Sequence, residues 1–283
     1  MSEARLQLAV LGSPIGHSLS PALHTAAYGA LGLGWDYSAV EVTEGALAGF
    51  IASRGTGWRG LSLTMPLKRA VVPLLGSLDE PTELTGGANT VLFDEVQGNR
   101  VLRGFNTDVN GVVEAFRDAG VERLDCVRVL GSGATAASVI VAVSRLRARR
   151  VDVSARTPTH AVRLQALGVA LGVDVRIAAL DSSRAHPQPD AVVNTIPGGA
   201  DVSVVFAESV MTHAILFEVA YDPWPTPLVK SWSAAGGRVI SGVEMLLHQA
   251  LVQVRVFVGG DPDRPLENEG AVLVAMRGSL TPV

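Results

Sequence analysis

One cysteine, Cys126, stands in 283 residues. A single thiol closes no disulfide within the chain and builds no cysteine zinc cluster, and it fits a reducing compartment. Basic excess is missing as well: 23 Lys and Arg stand against 27 Asp and Glu, for a formal net charge of −4. A dedicated nucleic-acid binder is not expected from that balance. The longest uncharged stretch near the middle, Val129 to Ser144, carries glycines and hydroxyls. It falls short of the roughly 20 apolar residues that span a bilayer, so no membrane anchor is expected. The opening "MSEARLQLAV" has no basic segment, long apolar region or small-residue cleavage site, so no signal peptide is expected. The six histidines, His17, His24, His160, His186, His213 and His248, show no ligand spacing such as H-E-x-x-H. No metal is expected, and neither repeats nor low-complexity segments occur. What is present is a chain 48% apolar and 18% charged, enough for a sizeable core in one large or two ordinary domains. A cytoplasmic protein is the expectation.

Strand-like and helix-like runs alternate. "LQLAVLG" reads as a buried strand, and "SPALHTAAYGALG" as a helix with Ser20 at the N-cap and Pro21 at the first helical position. "WDYSAVEV" is a strand, "EGALAGFIASR" a helix, and "GLSLTMP" a strand ended by Pro66. "LKRAVVPLLG" is a short helix interrupted at Pro73, and "ANTVLFDEV–QGN–RVLRGFN" a hairpin. After a helix from Asp108 to Ala119 the beat restarts: strand at "CVRVLGSG", helix 134–147, strand 151–155, helix 159–171, strand "DVRIAAL". Further strands are "DAVVNTIP", "HAILFEVAY" and "RVISG", with a helix from Pro225 to Ala235 and helices at 243–258 and 265–276. Such alternation implies parallel sheets with right-handed crossovers, in two α/β units.

"VRVLGSGATAAS" places Gly131 and Gly133 between a strand and a helix, as G-x-G-x-x-A with Ala136 third. Gly131 permits the tight turn, Gly133 lets backbone approach a pyrophosphate, and the helix N-terminus offers N–H groups. An ordinary strand-to-helix turn would also use such glycines. An NAD site usually carries an acid about 20 residues on, at the end of the second strand. Asp152 has that spacing but lies near the strand's start, and reads as a structural or surface carboxylate. Arg156 is at the end, where a guanidinium suits a 2′-phosphate. NADP is therefore the expected cofactor, with a solvated loop arginine as the other reading of Arg156.

In the first unit, "SLTMPLK" brings Thr64 and Lys68 to one strand end, and "NTD" brings Asn106, Thr107 and Asp108 to another. Ligands bind at strand ends in such folds. A lysine near an aspartate can hold and exchange a proton at an alcohol or ketone. By spacing alone, Lys68 is more often a solvated helix-start lysine and Asp108 more often a helix N-cap. "GSPIGHSLSP" sets Ser18 and Ser20 where hydroxyls and helix N–H groups can converge on an anion.

Together these motifs resemble the shikimate dehydrogenase family over nearly the whole chain. "GSPIGHSLSPALH" is similar to its N-terminal substrate motif, "SLTMPLK" to N-V-T-x-P-x-K, "GGANTV" to G-A-x-N-T and "GFNTD" to N-T-D. "GSGATAA" resembles its cofactor loop and "SARTP" its N-R-T segment. "YDPWPTPL" and "SGVEMLLHQA" resemble Y-x-P-x-x-T-x-L and G-x-x-M-L-x-x-Q. Two motif asparagines are replaced, by Ser62 and Ala155.

The resemblance implies an α/β fold with a discontinuous N-terminal substrate domain, 1–108 and 243–283, and a Rossmann-type NADP-binding domain, 109–242. It implies reversible, NADP-dependent reduction of 3-dehydroshikimate to shikimate, in chorismate and aromatic amino acid biosynthesis. Lys68 and Asp108 would be the acid–base pair. Ser18 and Ser20 would bind the substrate carboxylate, and Thr64, Asn89 and Gln249 ring hydroxyls, with Tyr221 near the carboxylate or the nicotinamide. Gly131, Gly133, Ala134, Arg156 and Thr157 would hold the cofactor, with Gly242 and Met245 lining the nicotinamide pocket. NAD-linked quinate or shikimate oxidation, and a relative with altered catalysis, are the alternatives. A homodimer is allowed without being specified.

Overall fold

The computed structural model describes residues 5–180, 188–200 and 204–280; His186 lies outside them. The chain divides into two compact units, 1–107 with 246–283, and 108–245. The sequence expectation drew these borders at 108/109 and 242/243.

The first unit holds β1 (Gln7–Gly12), α1 (Ser20–Ala30), β2 (Asp36–Glu41), α2 (Glu44–Ala52), β3 (Trp58–Leu63) and α3 (Leu67–Ala70). Then come β4 (Ser77–Leu78), α4 (Glu80–Thr85), β5 (Thr90–Val96) and β6 (Asn99–Phe105). Helix α10 (Gly242–Gly259) runs into this unit, and α11 (Glu269–Gly278) ends it. The described strands form one sheet in the order β2-β1-β3-β5-β6-β4. β2, β1 and β3 are parallel, and β5 and β6 form the antiparallel hairpin.

After the exposed Gln7, β1 is apolar because both its faces are covered. Leu8 and Val10 pack with Leu23, Tyr28, Leu251, Val254 and Phe257 of α1 and α10, while Ala9 and Leu11 pack with Leu47, Ile51, Leu61 and Leu67 on the other side. Ser20 is not the N-cap of α1. That place is Leu19's, and Ser20 is the first helical residue, ahead of Pro21. Elements β4 and α4 were not expected. Asp79 caps α4, its Oδ1 accepting from the Thr82 backbone N–H at 2.8 Å. Helix α11 starts four residues later than expected, after Asn268 in a left-handed conformation.

The second unit holds α5 (Asp108–Asp118), β7 (Cys126–Leu130), α6 (Ala134–Arg145), β8 (Arg150–Ala155), α7 (Val162–Leu171) and β9 (Asp174–Ala179). It continues with β10 (Ala191–Asn194), α8 (Glu208–His213), β11 (Ile215–Glu218), α9 (Pro227–Ala234) and β12 (Val239–Ser241). The described strands pair in parallel, in the order β12-β11-β10-β7-β8-β9. This is the doubly wound dinucleotide-binding order, whose switch point lies between β7 and β10. The short helix α8 was not expected, and a 3-10 turn over Pro158–Ala161 precedes α7. Trp232 is fully buried, and its indole N–H donates to the Ala214 carbonyl at 3.0 Å.

Candidate active site

In the first unit, the ends of β1, β3 and β6 gather the expected substrate residues. Backbone hydrogen bonds stitch these loops together. Thr64 N–H donates to Leu11 O at 2.9 Å, Ser13 N–H to Met65 O at 3.0 Å, and Leu63 N–H to Asn89 O at 2.7 Å. Ala88 N–H donates to Lys68 O at 2.8 Å, which ties the half-buried Lys68 to the Asn89 strand. Ser18 Oγ accepts from the Ser20 backbone N–H at 3.3 Å. The first helical N–H is thus met by the serine two residues earlier, and Ser20 itself is buried.

Asn89, 1% exposed, is the centre of a polar cluster. Its amide N–H groups donate to Thr107 Oγ1 at 2.9 Å and Gln249 Oε1 at 3.1 Å. Its Oδ1 accepts from the Thr107 backbone N–H at 2.9 Å and the Thr90 hydroxyl at 2.8 Å. Gln249 in turn donates to Leu246 O at 2.9 Å. Asn106 anchors the "NTD" loop from below, donating to Thr85 Oγ1 and Gly87 O, both at 2.9 Å. Asp79 accepts the Asn106 backbone N–H as well as capping α4.

Beneath Asn89 lies a second layer of buried polar groups. The Tyr37 hydroxyl donates to Ser62 Oγ at 2.7 Å, and Ser62 donates to Gln253 Oε1 at 2.9 Å. His24 stacks on Tyr37, with ring centroids 4.0 Å apart. Burial pushes the His24 pKa down to about 3, so the imidazole is neutral. Burial likewise raises the pKa values of the Tyr28 and Tyr37 phenols.

In the second unit, Gly131 has φ of +103°. A Cβ there would stand 2.5 Å from Thr195 Oγ1 across the switch point, so both backbone conformation and space demand glycine. Gly133, the N-cap of α6, is different: a Cβ built on it meets nothing within 4 Å. No described residue fills that space, and a cofactor phosphate on the N–H groups of Gly133, Ala134 and the next turn would. Arg156 and Thr157 follow β8, exposed, beside the glycine turn. Asp152 is buried within β8, paired with Arg150 at 2.9 Å, three residues before the strand's end. The donor set fits NADP.

At the ends of β10 and β11, Glu218 is fully buried. Its carboxylate accepts from Asn194 Nδ2 at 3.0 Å on both oxygens, from the Thr226 hydroxyl at 3.0 Å and from Ala220 N–H at 3.3 Å. Burial raises its pKa, and these donors partly oppose the rise. Gly242 packs where a Cβ would lie 2.0 Å from Val219 O, so this strand end and the start of α10 approach as only glycine allows. Met245 is buried and Tyr221 half-buried. Asp108, 3% exposed, is the first residue of α5.

The family model for the shikimate dehydrogenase substrate binding domain matches residues 10–91. A shikimate dehydrogenase (NADP(+)) of Rubrobacter xylanophilus is 35% identical, over 92% of this chain and 95% of its own length. The chain belongs to the shikimate dehydrogenase family. Within that family, the solved enzyme of Mycobacterium tuberculosis is 37% identical, with a TM-score of 0.82 over 96% of this chain and 99% of its own. The shikimate 5-dehydrogenase of Thermus thermophilus, solved with NADP(H) and shikimate, is 30% identical, with a TM-score of 0.77 over 97% of this chain and 100% of its own. The fold is that of the family, a discontinuous substrate domain with a Rossmann-like domain.

Against the family pattern, the structure brings Thr64, Lys68 and Asn89 to neighbouring strand and helix ends of the first unit, with Gln249 bonded to Asn89 from within α10. Gly131, Gly133 and Arg156 gather in the second. Three residues carry weight that motif reading passed over. Gln253 follows Gln249 by one helical turn, and that spacing was the available signal. Glu218 precedes the tyrosine motif on an otherwise apolar strand. Arg163 donates to the Ser132 carbonyl of the glycine turn at 2.6 Å, a contact with no sequence signature.

Proposed function

We propose that this chain is an NADP-dependent shikimate dehydrogenase, an oxidoreductase on a CH–OH group that interconverts 3-dehydroshikimate and shikimate in chorismate biosynthesis. The observation that carries the reading is the buried Asn89–Thr107–Gln249 cluster in a chain that shares more than nine-tenths of its length with the Rubrobacter enzyme. A small polyhydroxylated acid needs many short-range partners, and an unpaired buried one costs about 1–3 kcal/mol. Amides and hydroxyls are that inventory.

Oxidation of a secondary alcohol releases a hydride from carbon and a proton from oxygen. NADP, when bound, accepts or supplies the hydride. Lys68 and Asp108 hold and move the proton at the reacting oxygen. Ser18 and Ser20 bind the carboxylate, supported by hydroxyls at the start of α1 and its N-terminal N–H groups. Thr64, Asn89 and Gln249 bind ring hydroxyls, and Tyr221 lies at the carboxylate or nicotinamide side. Gly131, Gly133 and Ala134 receive the pyrophosphate. Arg156 and Thr157 receive the 2′-phosphate, and Gly242 and Met245 line the nicotinamide. The reading makes this a cytoplasmic enzyme, with a homodimer as the assembly to test by sedimentation. No helix among the described residues is long and apolar enough to cross a membrane.

The deciding experiment crosses shikimate and quinate with NADP and NAD in a spectrophotometric assay. Fastest turnover with shikimate and NADP is expected. Faster turnover of quinate with NAD would replace this reading.

A further inference from the structure

Gln253, 2% exposed on α10, is not among the groups assigned to substrate, yet all its hydrogen-bonding positions are taken by groups around Asn89. Its Nε2 donates to Asn89 O at 3.2 Å and to Thr90 Oγ1 at 3.1 Å. Its Oε1 accepts from Ser62 Oγ at 2.9 Å and pairs with His24 Nε2 at 3.1 Å. A backbone carbonyl only accepts, so Asn89 O decides which end of the Gln253 amide faces it. The order then propagates. Gln253 donates to Thr90, so the Thr90 hydroxyl turns its own proton to Asn89 Oδ1 at 2.8 Å. That contact and the Thr107 N–H occupy Asn89 Oδ1, which sends the amide N–H groups toward Thr107 and Gln249. On the far side, His24 donates from Nε2, and its Nδ1 accepts from the Tyr28 hydroxyl at 3.2 Å.

We infer that Gln253 is a positioning residue for substrate recognition: through Thr90 it reinforces, beside the Thr107 N–H, the direction of the Asn89 amide, and through Ser62 and His24 it is itself held by Tyr37 and Tyr28. The inference rests on the proposed role of Asn89 toward a substrate hydroxyl. It assigns a task to five side chains, His24, Tyr37, Ser62, Thr90 and Gln253, that make a polar floor where an apolar core would otherwise lie. A fully satisfied buried network specifies one arrangement, whereas a half-satisfied one is costly.

The test uses Gln253→Glu, which keeps length and shape. Protonated, the new acid can still donate toward Asn89 O or Thr90. Ionised, it sets an acceptor against that carbonyl and releases the Thr90 hydroxyl. The titratable side chains facing position 253 are His24 directly and Tyr37 through Ser62. His24, at about 3, and the raised Tyr37 hold one charge state from pH 6 to pH 9, as does the raised Tyr28 behind His24. The shikimate KM of the variant relative to wild type should therefore climb with pH, reaching about three- to tenfold at pH 9, as for loss of one neutral hydrogen bond. The NADP KM should stay unchanged. Thr90→Val should raise the shikimate KM by a similar factor at every pH, and Thr90→Ser should restore it. A shikimate KM ratio for Gln253→Glu that stays flat near one, or a loss of kcat and both KM values in step with Tm, overturns the inference. Asn89→Ala is the control. If it raises the shikimate KM while Gln253→Glu and Thr90→Val do not, only the Gln253 role fails. If Asn89→Ala leaves the shikimate KM unchanged, the Asn89 reading fails first.

Discussion

Gly131 and Thr195 face each other across the switch point of the parallel sheet, with Thr195 Oγ1 2.5 Å from where a Gly131 Cβ would stand. Thr195 cannot retreat freely, because its hydroxyl and its backbone N–H both donate to Leu130 O, at 2.8 and 2.9 Å. Two glycines of one turn are therefore required for different reasons. Gly131→Ala should lower Tm by several degrees, the strain of a left-handed non-glycine residue alone being about 1–3 kcal/mol. Gly133→Ala should leave the Tm of the unliganded protein unchanged and weaken NADP binding at least tenfold. Thermal melts with and without NADP separate the two.

Arg156 is exposed at the end of β8, so its loss should leave Tm unchanged. Arg156→Ala should weaken NADP by about ten- to a hundredfold, the worth of one hydrogen bond to a charged group at about 1.5–3 kcal/mol. NAD affinity should hold. Equal losses for both cofactors in a titration would remove the 2′-phosphate role.

Ser18 supports the start of α1 through the Ser20 N–H, at a long 3.3 Å. Its loss should cost little stability. Ser18→Ala should raise the shikimate KM about tenfold, as for one hydrogen bond to a carboxylate, with the NADP KM unchanged. A fall in cofactor affinity of the same size would argue against carboxylate binding.

Glu218 titrates differently in the folded and unfolded chain. Burial raises its pKa in the fold above the ordinary 4.5. The folded state therefore holds the proton longer, and stability falls as pH rises from the unfolded value toward the folded one. Glu218→Gln removes that slope. The stability of wild type minus that of the variant should decline from about pH 4.5 upward and then level off, as read by urea melts across pH. A flat difference would mean that Glu218 titrates alike in both states.

The alternation of strand and helix was legible because β1 after Gln7, and β7 apart from Arg128, are runs of buried apolar residues, while the amphipathic helices carry one polar side. The glycine turn and the order of the motifs were legible too, since each is local in sequence. Short elements escaped: β4 and α8 are too brief to show a period. The "DEP" that opens α4 did carry a capping aspartate followed by proline. Gln253 and Glu218 escaped for another reason. Gln253 meets Ser62 and His24, 191 and 229 residues away in the chain. Glu218 meets Asn194, 24 residues away, across a strand pair. No local pattern records which distant donor satisfies a buried polar group.

The 2.7 Å contact between Tyr37 and Ser62 also limits what can be transplanted into this enzyme. The family motif carries asparagine where Ser62 stands, and a phenol oxygen already occupies the volume its amide would need. Grafting that asparagine alone would crowd a closed interior. A workable graft must trim Tyr37 to phenylalanine in the same clone, and Gln253 must then find a new donor. Positions 37, 62 and 253 are links of one hydrogen-bonded chain, to be exchanged together or left alone.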